Sequence, residues 1–168
     1  MGEVIEPLAP PPPPPWETPA VESFDDVFRR ESEAMVRVAF LMVRSAPQAE
    51  EIVQDAFTRL LERWDRVPQP GAYLRTCVVN GCKDAFRRRA LERRRAAAEP
   101  AREPVDLEAE YLADALAALP VKRRAAIVLR YYDGLSEAEI ANVLRVRPGT
   151  VKSLVHRGLL QLREVIER

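Results

Sequence analysis

The chain has 168 residues, 26 Lys/Arg against 26 Asp/Glu and so no formal net charge, with six glycines, two cysteines and one histidine. Alanine, leucine, arginine and glutamate dominate, which points to an all-α fold. Cys77 and Cys82 lie about 140° apart around a helix and His156 stands alone, so neither a disulfide framework nor a zinc site is expected, and no apolar run reaches membrane-spanning length.

Residues 1–22 form an acidic tail with four acids, no base and six consecutive prolines, Pro10 to Pro15, followed by Trp16. Such a tract is expected to be polyproline II or disordered. It lacks a basic segment followed by an apolar core, so no signal peptide and no membrane insertion are expected, and the expected location is cytoplasmic. Residues 101–110 set Arg102 against Glu103, Asp106, Glu108 and Glu110; with the tail also set aside, 25 basic residues face 18 acids. The zero total thus hides basic surfaces suited to an anionic partner.

From Ser23 the pattern becomes helical. Ser23 and Asp26 form a capping box, and Phe24, Val27, Phe28, Met35, Val38 and Met42 recur at helical spacing. After Pro47 comes the most strongly patterned helix: Ile52, Val53, Ala56, Phe57, Leu60, Leu61 and Trp64 share one face, while Glu51, Gln54, Asp55, Thr58, Arg59 and Glu62 share the other. A third helix is predicted from about Ala72 to Arg95, with eight bases against Asp84 and Glu92. Asn80, Lys83, Asp84, Arg87 and Arg88 fall on one stripe of it. An amide, a carboxylate and several cations together can neutralise phosphates and hydrogen-bond bases. Tyr73 is a candidate to stack an unpaired base; Phe86 continues the apolar stripe of Val78 and Cys82 and reads as core.

Residues 96–106, with two prolines and little apolar bulk, read as a flexible linker between two small helical bundles, 23–95 and 107–168. Beyond it, Leu112, Ala115, Leu116 and Leu119 mark one helix ended by Pro120, and Ala125, Val128, Leu129 and Tyr132 another stopped by Asp133-Gly134. Residues 134–157 then read as helix-turn-helix. Ser136 and Glu139 make a capping box, Ile140, Ala141 and Leu144 share a face, Arg145-Val146-Arg147 turns, and Pro148 opens the second helix. Arg147, Thr150, Lys152, Ser153, His156 and Arg157 near that helix start are short or basic, as base and phosphate contacts require.

In this order and spacing, the chain resembles the extracytoplasmic-function group of sigma-70 family sigma factors. The resemblance rests on Ala49–Phe57, on Ala72–Asn80 with Asp84, Arg87 and Arg88, on Leu119-Pro120 with Arg124, on Val128-Leu129-Arg130, and on Gly134–Arg157. The acidic tail and the surroundings of Tyr73 and Trp64 are similar to actinobacterial members. The resemblance implies that Glu51, Gln54 and Asp55 contact core RNA polymerase. It implies that Asn80, Asp84, Arg87 and Arg88, with Lys83 on their stripe, engage the minus-ten element and the opened non-template strand. The recognition helix, through Arg147, Thr150, Lys152, Ser153 and Arg157, would read duplex promoter DNA at minus-thirty-five, with His156 a phosphate or solvent contact. An anti-sigma factor is a candidate further partner; no cofactor, metal or small-molecule substrate is implied, and the chemistry would belong to polymerase, not to this chain. An eleven-residue linker spans at most about 36–40 Å. Promoter elements about 17 base pairs apart lie near 58 Å at 3.4 Å per step, so two bundles could bridge them with the linker nearly extended.

The chain departs from the pattern at Arg145, where members carry glycine, so the turn must close differently or hold a non-glycine residue in the left-handed region. It also has Leu154 where arginine is common and Gly158 where alanine is common; an interior glycine costs about 1 kcal/mol in helix propensity. The alternative is a response-regulator-type helix-turn-helix transcriptional regulator, which requires an α/β receiver or sensor domain upstream.

Overall fold

The structure is a computed structural model that describes residues 22–93 and 107–167. The proline-rich tail through residue 21 and the linker at 96–106 lie outside the described residues. Among the described residues every regular element is a helix and no strand occurs, so the α/β domain that the response-regulator alternative requires is absent from them.

The first bundle is α1 (Phe24–Val43), α2 (Ala46–Leu61) and α3 (Pro70–Arg93), with a 3₁₀ turn at Trp64–Arg66 before α3. The capping box at α1 forms as expected: the Asp26 N–H donates to Ser23 Oγ at 3.2 Å, and the Ser23 N–H donates to the Asp26 carboxylate at 3.1 Å. These hydrogen bonds hold the Asp26 carboxyl below its ordinary pKa. Pro47 occupies the first turn of α2, where its missing N–H breaks no helical bond, and Ser45 caps that helix. Val27, Met35, Val38 and Met42 of α1, Ile52, Val53, Ala56, Phe57 and Leu60 of α2, and Leu74, Val78, Val79 and Cys82 of α3 are buried together. Burial of Cys82 pushes its thiol up to about 12. In this bundle two residues of the predicted apolar faces behave differently. Leu61 is 58% and Phe28 47% exposed. At this end of the bundle aromatic rings close the core instead: Phe24 meets Trp64 edge-on at 5.5 Å, and one side of Phe28 rests on Phe57 at 4.9 Å.

The second bundle is α4 (Leu107–Ala117), α5 (Val121–Ile127) running on into a π-turn at Val128–Tyr132, α6 (Glu137–Leu144) and α7 (Pro148–Ile166). Gly134, at φ +71°, redirects the chain after the π-turn. The Ser136–Glu139 capping box starts α6, and its hydrogen bonds lower the Glu139 pKa. α6 ends in a Schellman motif: the Val146 N–H bonds Ala141 C=O at 3.0 Å and the Arg145 N–H bonds Asn142 C=O at 3.3 Å. Arg145 therefore holds the left-handed conformation, φ 53° and ψ 52°, that glycine usually supplies. Gly158 has a role that helix propensity alone does not reveal. A Cβ there would stand 2.7 Å from Ile127 Cδ1 and 3.5 Å from Arg123 Cβ, so the glycine lets α7 lie close on α5.

The bundles are not held apart. α1 packs against α4, and α3 against α6, so that one apolar cluster runs from Val27 through Leu74 and Leu116 to Val151. The left-handed turn generates the first prediction. That conformation costs a non-glycine residue roughly 1–2 kcal/mol, while glycine loses about 0.4–1 kcal/mol more unfolded-state entropy. Arg145→Gly is therefore expected to stabilise the chain by about 0.5–1 kcal/mol in urea unfolding; a fall in the midpoint would show that the arginine side chain contributes more than its backbone costs.

Candidate nucleic-acid interface

The second helix of the helix-turn-helix, α7, is two-faced. Val151 and Gly158 are buried, and Leu154 and Val155 are half-buried against the bundle. Arg147, Thr150, Lys152, Ser153, His156 and Arg157 are all exposed, so the structure brings every residue expected of the reading helix onto open surface. Together they cover the broad side of the helix opposite Val151 and Gly158. No acid occurs between Arg147 and Arg163, and the nearest carboxylate to Lys152 is that of Glu137, 3.9 Å away on α6. With Lys152 72% and Glu137 41% exposed, that pair is worth little, and the ammonium remains available to a phosphate. Ser153 Oγ donates back to Gly149 C=O at 3.3 Å, a local bond that a base edge can replace.

The basic stripe of α3 is less simple than its spacing suggests. Asp84 and Arg88 turn toward α2 and line a groove of about 180 Å³ with Glu51, Asp55 and Arg59. The polymerase-contact and nucleic-acid candidates of the first bundle therefore share one concavity. Lys83 points the other way, toward the second bundle, half-buried and facing Lys122, Arg145 and Arg87. Burial first, then those like charges, depress its pKa. Arg87 is exposed and bonds Asp84 at 2.5 Å, a pair that a phosphate could compete for. Asn80 is half-buried between these two sides, and its amide has no hydrogen-bond partner among the described residues. On α2, Glu51, Gln54 and Asp55 are exposed, opposite buried Ile52, Val53 and Phe57.

Two features escaped the sequence reading. Tyr73 lines a cavity of about 600 Å³ with Arg63, Arg66, Val67, Pro68 and Gln69, where α2 hands over to α3. An aromatic ring beside two guanidiniums suits an unstacked base. The irregular stretch 62–69 gives no periodic signal from which such a cavity could be read. The second is a set of charges between the bundles. Arg75 Nε donates to Asp133 Oδ2 at 2.6 Å and its Nη2 lies 3.2 Å from Glu31 Oε2, while Arg124 is buried among backbone carbonyls. For Arg75, burial acts to lower the pKa, but Asp133 and then Glu31 more than offset it, so the net shift is upward.

Comparison with known proteins accords with this geometry. Residues 27–92 match sigma-70 region 2, and residues 109–162 match sigma-70 region 4. An RNA polymerase sigma-E factor of Streptomyces coelicolor is 33% identical, with 98% of this chain and 88% of that protein covered. The chain belongs to the sigma-70 family, in its extracytoplasmic-function group. Another sigma-E factor, from Streptomyces avermitilis, is 32% identical over 88% of this chain and 87% of that one. Among solved structures, the sigma factor RpoE in complex with the anti-sigma factor NepR, from Bartonella quintana, aligns with a TM-score of 0.67 and 25% identity, covering 85% of this chain and 98% of that one. CnrH in complex with the cytosolic domain of CnrY has the same fold, with a TM-score of 0.69 at 23% identity over 86% and 87% of the two chains. The chain is thus a transcription initiation factor whose two matched regions are those that bind core RNA polymerase and promoter DNA. Among the described residues no helix is long and apolar enough to cross a membrane.

The α7 stripe generates a prediction of its own. Lys152→Ala is expected to weaken binding of duplex minus-thirty-five DNA and to reduce the slope of log affinity against log salt by about 1, as loss of one phosphate contact does. An unchanged slope in a fluorescence anisotropy titration removes Lys152 from the phosphate contacts.

Proposed function

We propose that α1–α3, within residues 23–95, engage core RNA polymerase and the minus-ten element, while α4–α7, within 107–168, read the minus-thirty-five element. Glu51, Gln54 and Asp55 are the polymerase contacts on α2. Asn80, Lys83, Asp84, Arg87 and Arg88 on α3 take the opened non-template strand, with Tyr73 and its neighbouring cavity available to an unpaired base. Arg147, Thr150, Lys152, Ser153 and Arg157 on α7 meet the major groove, and His156 meets phosphate or water. The observation that carries this reading is the acid-free exposed stripe of α7 on a helix whose opposite face is buried. Such a helix can enter a major groove without disturbing the core that holds it.

In this reading the chain performs no chemistry itself. Its contribution is to choose the promoter and to hold the separated strand, and it works in the cytoplasm beside polymerase. An anti-sigma factor is a further partner, supported by the relative solved with NepR.

Two measurements test the division of labour. Replacing Gln54 and Asp55 by lysine puts two positive charges on an exposed face that carried one negative charge there, so the double variant is expected to keep its helical content and lose affinity for core polymerase at least tenfold. Undiminished core binding by the folded variant refutes the α2 assignment. Asn80→Ala is expected to leave core binding and duplex minus-thirty-five contact intact yet impair strand opening, read as permanganate reactivity of thymines near the start site. Normal reactivity on an intact duplex takes Asn80 out of the mechanism.

A further inference from the structure

An acid-free cavity and an incompletely covered aromatic surface meet near the start of α1. The cavity beside Tyr73 holds about 600 Å³, and its lining carries the guanidiniums of Arg63 and Arg66 and no carboxylate. Neither arginine has an ion-pair partner among the described residues. Trp64 opens the 3₁₀ turn that supplies Arg66; it is half-buried and stands edge-on to Phe24 at 5.5 Å. Phe28 lies on Phe57, and Leu61 follows Phe57 by one helical turn, yet Phe28 and Leu61 both remain exposed.

The segment that enters α1 has the complementary chemistry. Residues 10–17 are six prolines, Trp16 and Glu17, and residues 1–22 contain four acids and no base. Proline-rich segments dock on aromatic surfaces, because little conformational freedom remains for them to lose. Trp16 supplies a flat ring that can stack where a base would, and Glu17 supplies a carboxylate for an unpaired guanidinium. The reach is sufficient. Glu22 pairs with Arg30, on another face of α1 than Phe24 and Phe28, and a helix is about 10 Å across. The six steps from Trp16 to Glu22 extend about 19 Å as polyproline II.

We propose that the tail occupies this cavity in the free chain, with Trp16 against Tyr73 and Glu17 beside Arg63 and Arg66, so that a single strand must displace it. This rests on the assignment of the cavity to an unpaired base. The tail is thereby a competitor built into the chain. A short tether holds Trp16 at an effective concentration near the millimolar range, so an intrinsic affinity of about 0.1 mM fills the cavity about nine-tenths of the time. Stray single strands then meet a site about tenfold less available, whereas a strand held by polymerase overcomes that factor through its other contacts. A tail that is merely solvated shields no tryptophan and leaves strand binding untouched.

Trp16 and Trp64 are the two tryptophans of the chain, so Trp64→Phe in the full chain leaves Trp16 as the reporter. Its emission is expected to be blue-shifted and shielded from acrylamide, and to become exposed in Tyr73→Ala or on addition of oligothymidylate. Trp16→Ala is expected to tighten oligothymidylate binding about tenfold, with helical content unchanged. Should Trp64→Phe fail to fold, the difference in quenching between the parent chain and Trp16→Ala reads the same ring. A freely exposed Trp16 overturns the proposal, as does unchanged oligothymidylate affinity in Trp16→Ala. Shielding that survives Tyr73→Ala or oligothymidylate also overturns it, and shielding that fades on dilution assigns the contact to a second copy of the chain instead. The base assignment is judged separately: with Trp16 already replaced by alanine, Tyr73→Ala weakens oligothymidylate binding if the cavity takes a base, whatever the tail does.

Discussion

A positive charge buried without a carboxylate beside it sets the terms for this structure. Arg124 is 5% exposed, and burial, with the charge of Arg44 adding to it, lowers its pKa to about 10. Taking a guanidinium out of water costs several kcal/mol unless its donors are satisfied. Here the acceptors are the last-turn carbonyls of two helices from different bundles, Met42 of α1 and Ala117 of α4, together with Leu119. Helix C-termini present partial negative charge, so the cation sits where two of them converge. If the bundles part, the guanidinium loses Met42 and the Phe86 face at once.

That constraint explains why the seam is polar at its centre of control and apolar around it. Apolar burial is non-directional and would tolerate many dockings of two three- or four-helix bundles. The Arg75 fork against Asp133 and the carbonyl cradle of Arg124 accept only one. Gly158 acts in the same sense inside the second bundle, since a Cβ there would press on the end of the Ile127 side chain. The position of the α7 stripe relative to α3 follows from these contacts jointly.

The surfaces left open by this packing have distinct chemistries. On α7 the stripe is basic and short-chained, suited to a groove floor. On α2 it is acidic and amide-bearing, and it shares a groove with Asp84 and Arg88 of α3. A protein partner on α2 would therefore lie beside a nucleic-acid strand on α3, which is the juxtaposition that a factor acting at the boundary of polymerase and opened DNA requires. The helix-turn-helix positions its stripe through Arg145, which holds a left-handed backbone that usually favours glycine while adding a cation that faces Lys83.

Much of this was legible in the chain itself. Capping boxes at Ser23 and Ser136, the helical recurrence from Ile52 to Leu60, and the proline that opens α7 are local signals. They arise from residues three or four positions apart, whose side chains meet on the same helix whatever the rest of the molecule does. The candidate residues of α7 and α2 are exposed for the same reason, since an amphipathic helix has only one face to bury. Leu61 and Phe28, like Leu112 and Tyr132 in the second bundle, are exposed because periodicity assigns a face but not what covers it; in the first bundle Trp64 and the ring cluster close that end instead. Nothing local marks Glu31, Arg75, Arg124 or Asp133 as partners. Arg75 and Asp133 are 58 positions apart, and Arg124 and Met42 are 82. The sequence by itself determined the helices, their caps and their outward faces, because those depend on neighbours along the chain. Only the tertiary structure decided that the bundles share a core, that the α3 stripe divides between two sides, and that buried charges span the seam, because a charge becomes buried only when distant segments remove its water together.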